Sequence, residues 1–315
     1  INMQQSVKKQ KKVLNIFPTT QLGGAPFNVL KLIQNQHNTI HSVITAKGNK
    51  EVYLEFKKSA DSLHDINIRK ISLFSLIKVT AAVLKEKPDI IHAHGNAGAL
   101  YTFLTSLLLL KPSKIIYTFR GYNQKPQLIM RFFQFALEWL FSFFVDKYIA
   151  VSESERQKVL KSGWFYEKKI ITIHNGVEIK KEVLNEDQKK MLAEYDINIV
   201  SISRISPQKD LETLIKAFSK LASYKRKKIG LHIIGGFISE DITYKNKVLK
   251  LTDSLDGRNS IHFWGELPFA GNYIWNFDIF ISTSLWEGLQ TSLIESLMQE
   301  IPTIATNVVG NKDII

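Results

Sequence analysis

The sequence predicts an α/β protein built from two parallel-sheet domains, and three observations predict it. Short β-branched runs alternate with amphipathic stretches at helical spacing, the alternation runs through the chain twice, and a charged segment without a strand, "EIKKEVLNEDQKKMLAEYD" (178–196), separates the two passes. With 315 residues, 44% of them hydrophobic, the chain can bury a substantial core, and its length suits two domains, placed at 1–180 and 181–315.

In the first pass "VLNIFPT" (13–19) reads as a strand and "APFNVLKLIQNQ" (25–36) as a helix. A helix around Leu76–Lys85 precedes the strand "DIIHAHG" (89–95), and "KIIYTFRG" (114–121), "KYIAVS" (147–152) and "KIITIHNG" (169–176) follow as strands. In the second pass come "INIVSISR" (197–204), the helix "DLETLIKAFSKLA" (210–222), "IGLHIIGG" (229–236), "SIHFWG" (260–265), "FDIFISTS" (277–284), a helix after Gln290 and "IPTIATN" (301–307). Parallel sheets of this kind carry ligand sites at the carboxyl ends of their strands, and two facing domains make a cleft.

The chain has no cysteine, which excludes disulfides and thiolate metal sites and suits a reducing cytoplasm. "GALYTFLTSLLLL" (98–110) is shorter than the ~20 residues of a bilayer span. "LIMRFFQFALEWLFSFFV" (128–145) is nearer in length but is interrupted by Arg131, Gln134 and Glu138, so neither a membrane span nor a secretion signal is expected. Residues 1–180 hold 26 Lys and Arg against 12 Asp and Glu, whereas 181–315 hold 16 against 17. The basic half suits either plain solubility, with the cluster "KKQKK" (8–12) at its start, or attraction to an anionic surface. No zinc spacing, aromatic nucleic-acid signature or recognition helix points to nucleic acid.

Three strand ends carry unusual chemistry. In "QLGGAPF", Gly23 and Gly24 lead into a helix, where bare backbone and free N–H groups suit an anion, although such a pair also makes an ordinary tight turn. No G-x-G-x-x-G follows the first strand, which counts against a dinucleotide oxidoreductase. In "SISRISPQKDLETL", Arg204 closes a strand and Lys209 stands five residues on. Two cations there suit a diphosphate, the alternative being a solvated loop. In "EGLQTSLIE", Glu287 and Glu295 stand eight residues apart, about 12 Å on a continuous helix and too far to share a proton or a metal. Ser292 and Glu295 also fit a capping box, and Glu287 a surface carboxylate; against this, a carboxylate accepts from both hydroxyls of a diol, so the pair can hold two ends of one ligand.

With these motifs the chain resembles the retaining glycosyltransferases of family GT4, of two-domain GT-B fold with Rossmann-like domains. The resemblance runs from Gly23 through "DIIHAHG", "DKYIAVSESERQKVLKSG", "IITIHNGVE", "VSISRISPQKDLETLIKAF" and "HIIGG" to "EGLQTSLIESLMQEIPTIATNVVGNKDII". It implies an N-terminal acceptor-binding domain and a C-terminal donor-binding domain. Glu287 then faces the donor sugar and Glu295 holds the ribose hydroxyls. Arg204 and Lys209 neutralise the diphosphate, Gly23 and Gly24 border it, and Gly288 and Leu289 complete the donor set. The implied donor is a nucleotide-diphosphate sugar, with UDP the commonest base among relatives. The implied acceptor is a saccharide or lipid-linked saccharide of bacterial surface polysaccharide, lipopolysaccharide or glycolipid assembly.

The chain departs from the family pattern in several places. Arg120 stands where the family commonly has a histidine near the reacting sugar; an arginine stays protonated and cannot serve as a base. That leaves His94 as the histidine on the cleft side by pattern, either catalytic or structural. Pro26, Glu300 and "VVG" replace a customary glutamate, glycine and "VGG", and the chain stops at Ile315 before the family's last strand and helices, so the second domain is expected to be incomplete. No acidic D-x-D-like pair ends a strand, so neither an obligatory metal nor a cofactor is expected. The aromatic stretch 128–145 is expected to form domain core, because aromatic stripes are usually buried; the alternative is docking of a cytoplasmic protein on the anionic inner face of the membrane. A noncatalytic nucleotide-sugar-binding protein and a sugar-nucleotide epimerase of similar architecture are the alternative functions.

Overall fold

The computed structural model describes residues 10–122, 127–222, 227–237, 241–255 and 257–315; Lys8 and Lys9 of the N-terminal cluster lie outside them. The chain divides into two compact units. The first runs through Gln21 and takes Ala25–Ala150 and Val159–Ile173; the second takes Leu22–Gly24, Val151–Lys158 and His174–Ile315. The main division thus falls seven residues before the expected boundary at 180, and two short segments group with the second unit through contacts distant in sequence.

The first unit contains β1 (Lys11–Thr19), α1 (Gly24–Gln34), β2 (Thr39–Ala46), α2 (Lys50–Ser59), β3 (Ser62–Asp65), α3 (Leu73–Glu86), β4 (Ile90–His94) and α4 (Gly95–Leu108). It continues with β5 (Lys114–Thr118), α5 (Leu128–Ser142), β6 (Lys147–Ala150), α6 (Glu153–Lys161) and β7 (Ile170–Thr172), the start of α1 and most of α6 being grouped with the second unit. Its seven strands pair in parallel in the order β3-β2-β1-β4-β5-β6-β7, with Asn15 opposite His92 and His94 opposite Thr118. Parallel strands need crossovers, and the helices supply them. One apolar cluster gathers Leu14, Ile16, Ile44, Val79, Val83 and Ile91, and another Phe103, Tyr117, Phe119, Phe141 and Tyr148. Gly98 lies against the carbonyl oxygen of Ile16, where a Cβ has no room, so α4 approaches the sheet closely.

The aromatic helix departs from expectation. Phe141 is buried in the core, but Ile129, Phe132, Phe133, Leu137, Trp139 and Leu140 of α5 are exposed, Ile129 at 73% and Phe132 at 67%. No helix among the described residues is long and apolar enough to cross a membrane.

The second unit contains α7 (Glu186–Ala193), β8 (Ile197–Ile202), α8 (Leu211–Ala222), β9 (Ile229–Ile234), α9 (Ile242–Asp253), β10 (Ile261–Gly265), β11 (Ile279–Ser282), α10 (Thr291–Met298) and β12 (Thr303–Ala305). The strand order is β10-β9-β8-β11-β12, again parallel. Leu211, Leu214, Ile215 and Phe218, at the expected helical spacing, bury α8 against Ile199 and Leu231. The charged segment holds α7, opened by a capping box of Asn185 and Gln188. Before α7, both Glu182 carboxylate oxygens accept hydrogen bonds, from Asn272 and Tyr273, which fastens the segment to the turn Ala270–Asn276.

Candidate functional site

In a doubly wound sheet the chain leaves in opposite directions from two neighbouring central strands, and the crevice at their carboxyl ends receives the ligand. In the second unit those strands are β8 and β11. Arg204 and Lys209 follow β8, and Glu287 follows β11, so the topology brings the two motifs to one crevice.

The side chains meet there. Lys209 and Glu287 form an ion pair with side-chain exposures of only 13% and 9%. A charge pair so sheltered from water is stronger than a surface pair, but its geometry must offset the cost of desolvation. Neighbours supply that geometry. Gln208 donates to the Trp286 carbonyl at 2.7 Å and reaches the other Glu287 oxygen at 3.4 Å; the Leu285 amide returns a bond to the Gln208 carbonyl at 2.8 Å; and the Thr283 hydroxyl lies 3.0 Å from the Lys209 carbonyl. Asp210, in left-handed backbone with φ 45°, accepts from the Thr213 hydroxyl at 2.6 Å and so turns the loop into α8. Arg204 is exposed, and its guanidinium has no ion-pair partner among the described residues.

Glu295 is half-buried on α10, its carboxylate lying where a Cβ at Gly271 would stand. The capping-box reading is corrected: α10 starts at Thr291 with Gln290 as cap residue, and Ser292 lies inside the helix, its hydroxyl accepting from the Gln290 amide at 3.0 Å. Glu287 lies in the loop before that helix, so the two glutamates do not share a continuous helix. Gly288 and Leu289 are buried, and their carbonyls are taken by the Ser152 hydroxyl at 2.7 Å and the Asn175 amide at 3.1 Å. Gly23 has nothing within 4 Å of the Cβ position, and Gly24, grouped with the same unit, would place a Cβ 3.3 Å from the Thr291 hydroxyl.

Sequence reasoning missed this supporting set. Ser154 donates its amide to Asp313 at 2.9 Å and accepts from the Gly310 amide at 2.8 Å, and Gly310, at φ 89°, lies against the Gly288 carbonyl. Ser152 and Ser154 are more than 130 residues from Gly288, Gly310 and Asp313, and no local spacing could have announced them.

His94 and Arg120 belong to the first unit, His94 as the last residue of β4 and Arg120 after β5, and they touch each other. Arg120 Nη2 lies 3.3 Å from His94 Nδ1. A guanidinium only donates, so Nδ1 accepts and the ring proton sits on Nε2, facing Asn15 Oδ1 at 3.4 Å. The Asn15 amide nitrogen then faces His41 Nδ1 at 3.2 Å, which makes a one-way chain of donors from Arg120 to His41. Burial first, and then the His92 and Arg120 charges, hold His94 well below the usual histidine range. Burial likewise pushes its neighbour His92, whose tilted ring has its centroid 3.9 Å away, down to about 3. His94 is thus a neutral, 1% exposed ring whose hydrogen bond orients Arg120.

With this geometry in place, comparison with known proteins is direct. Residues 29–181 match the family model Glycosyltransferase Family 4, and residues 183–315 match Glycosyl transferases group 1. The chain is 27% identical over 260 residues to the capsular polysaccharide biosynthesis glycosyltransferase CapM of Staphylococcus aureus, covering 78% of this chain and 67% of that one. It is 23% identical over 302 residues to the UDP-Gal:alpha-D-GlcNAc-diphosphoundecaprenol alpha-1,3-galactosyltransferase of Escherichia coli, covering 90% and 76%. The fold matches that of Anabaena Alr3699/HepE, crystallised with UDP and glucose, with a TM-score of 0.79 at 14% identity over 97% of this chain and 83% of that one. The crevice motifs and the two family models together assign the chain to the family 4 glycosyltransferases, with the GT-B fold.

Proposed function

We propose that this glycosyltransferase moves a sugar from a UDP-sugar to a saccharide carried on a lipid diphosphate, in surface polysaccharide assembly at the cytoplasmic face of the membrane. We infer retention of the anomeric configuration and no metal requirement. The observation that carries the reading is the sheltered Lys209–Glu287 pair at the β8–β11 crevice, with Arg204 exposed beside the same strand end. The E. coli relative's name gives it a UDP-galactose donor and a diphosphoundecaprenol acceptor, and the CapM name gives capsular polysaccharide.

The chemistry follows from the charges. Breaking the bond from sugar to phosphate leaves negative charge on the diphosphate while the ring gains positive character. Arg204 meets the diphosphate with paired donors. Lys209, already held by Glu287, meets it as a point charge, and the diphosphate then competes with the carboxylate for that ammonium. Freed in part from Lys209, Glu287 faces the electron-poor ring, and Glu295 accepts from the ribose hydroxyls. Preorganised charges of this kind are usually the largest catalytic term. In the first unit, Arg120 serves an anionic acceptor, held in place by neutral His94.

The test is transfer from UDP-galactose, UDP-glucose and UDP-N-acetylglucosamine to a synthetic lipid-diphosphate N-acetylhexosamine, with and without EDTA, the product anomer being read by NMR. An α-linked product formed equally well in EDTA is expected. An inverted product, loss of transfer in EDTA, or turnover of the donor without acceptor to an isomeric UDP-sugar contradicts the reading.

A further inference from the structure

Helix α5 is amphipathic in the inverted sense. Ile129, Phe132, Phe133, Leu137 and Leu140 recur at helical spacing and form one outward, exposed stripe, continued by Phe143. Gln134 and Glu138 lie on the opposite side, turned to the protein. There Glu138 accepts from the Tyr122 hydroxyl at 3.1 Å and from the Gln134 amide at 2.8 Å. An ordinary surface helix has these faces reversed. Contiguous exposed apolar surface of this kind marks a place that something covers.

We propose that the outward face of α5 is the surface by which this protein docks on an anionic lipid bilayer, lying in the interfacial plane. The occupant is indicated by charge and by residue type. The first unit carries 23 Lys and Arg against 9 Asp and Glu, so an anionic surface attracts it, whereas a second copy brought face to face is repelled. Arg131 and Lys161, with Gln134 and Glu138, line a recess of about 230 Å³ beside the helix together with Phe135 and Trp164, whose rings meet edge-on. Cations beside Trp and Phe suit the level of lipid headgroups, where aromatic rings concentrate. Fifteen residues make a helix of about 22 Å, too short to cross a bilayer core of roughly 30 Å but suited to lying in its surface.

The inference rests on the reading that the acceptor is carried by a membrane lipid, and it is tested apart from it. The protein is sedimented with vesicles of phosphatidylcholine alone and of phosphatidylcholine mixed with phosphatidylglycerol, at low and high salt. Binding to the anionic vesicles that weakens with salt is expected. Replacing Phe132, Phe133 and Leu137 together with serine is expected to lower partitioning by about tenfold or more. All three are solvent-facing, so the fold is kept, and an unchanged thermal response to UDP-sugar confirms it. Protein that stays in the supernatant with every vesicle, or a triple variant that binds as well as the parent, overturns the proposal. So does a concentration-dependent dimer that the triple substitution dissolves without any lipid binding. Donor binding is read separately, so a parent chain that responds to UDP-sugar but binds no vesicle removes the docking surface and leaves the donor site standing.

Discussion

At the scale of single residues, the crevice of the second unit depends on one pair whose members have different tasks. Removing Lys209 alone leaves the Glu287 carboxylate nine-tenths buried without its partner, and Lys209→Met is expected to cost about 3 kcal/mol of stability. The double variant Lys209→Met with Glu287→Gln is expected to recover most of that loss while transfer stays at least about 100-fold down; urea denaturation and a transfer assay on the three variants check both. Recovery of activity along with stability would make the pair purely structural. The buried histidines set an acid limit. Burial pushes both His92 and His232 down to about 3, while in the unfolded chain they titrate near 6.5. Below pH 6.5 the unfolded state binds protons that the folded state refuses, so stability is fully present above 6.5 and falls progressively as the pH drops towards 3. A urea midpoint that does not move across that window would contradict this. The His232 ring has Asn198 at 2.9 Å on one nitrogen and Trp264 donating at 3.1 Å to the other, so its neutral form is fully satisfied.

At the scale of elements, α10 explains a departure visible in the sequence. Its end is a Schellman turn: the Ile301 amide bonds to the Ser296 carbonyl and the Glu300 amide to the Leu297 carbonyl, both at 3.0 Å. The residue in the left-handed position is Glu300, at φ 62°, the site where the family customarily has glycine. Glu300→Gly is therefore expected to stabilise the protein by about 0.5–1 kcal/mol, read as a rise in thermal midpoint; a fall would mean that the Glu300 side chain holds something worth more than the relieved strain. Elements with apolar runs were legible: β1, β4, β8, β9 and α8 lie within a few residues of their expected bounds. The pair β2 and β3 was not. In "TIHSVITA" the buried positions include His41, Ser42 and Thr45, which interrupt the apolar pattern; His41 Nδ1 lies beside Asn15 and Ser42 donates to Glu86 at 2.9 Å, partners too distant in sequence to be foreseen. Helix α5 misled in the other direction, since its aromatic stripe reads as core until the structure shows which way it faces.

At the scale of the whole molecule, strand order turns a list of motifs into a site. The sequence shows Arg204, Lys209, Glu287 and Glu295 as two separate spacings; only the neighbouring of β8 and β11 joins Lys209 to Glu287. The uneven charge shows at larger scale, because the excess of cations follows the first unit, where α5 is exposed, while the β8–β11 crevice sits in a unit near neutrality, with 19 Lys and Arg against 20 Asp and Glu. The central claim is that this crevice holds the donor. It is tested most directly by thermal unfolding against UDP-, GDP- and ADP-sugars, repeated with Glu295→Ala and Arg204→Ala. A ligand at 100 times its dissociation constant adds about 2.7 kcal/mol to the native state. The account predicts a rise with UDP-sugars that both substitutions abolish. An equal rise in both variants, or none with any sugar nucleotide, would contradict it.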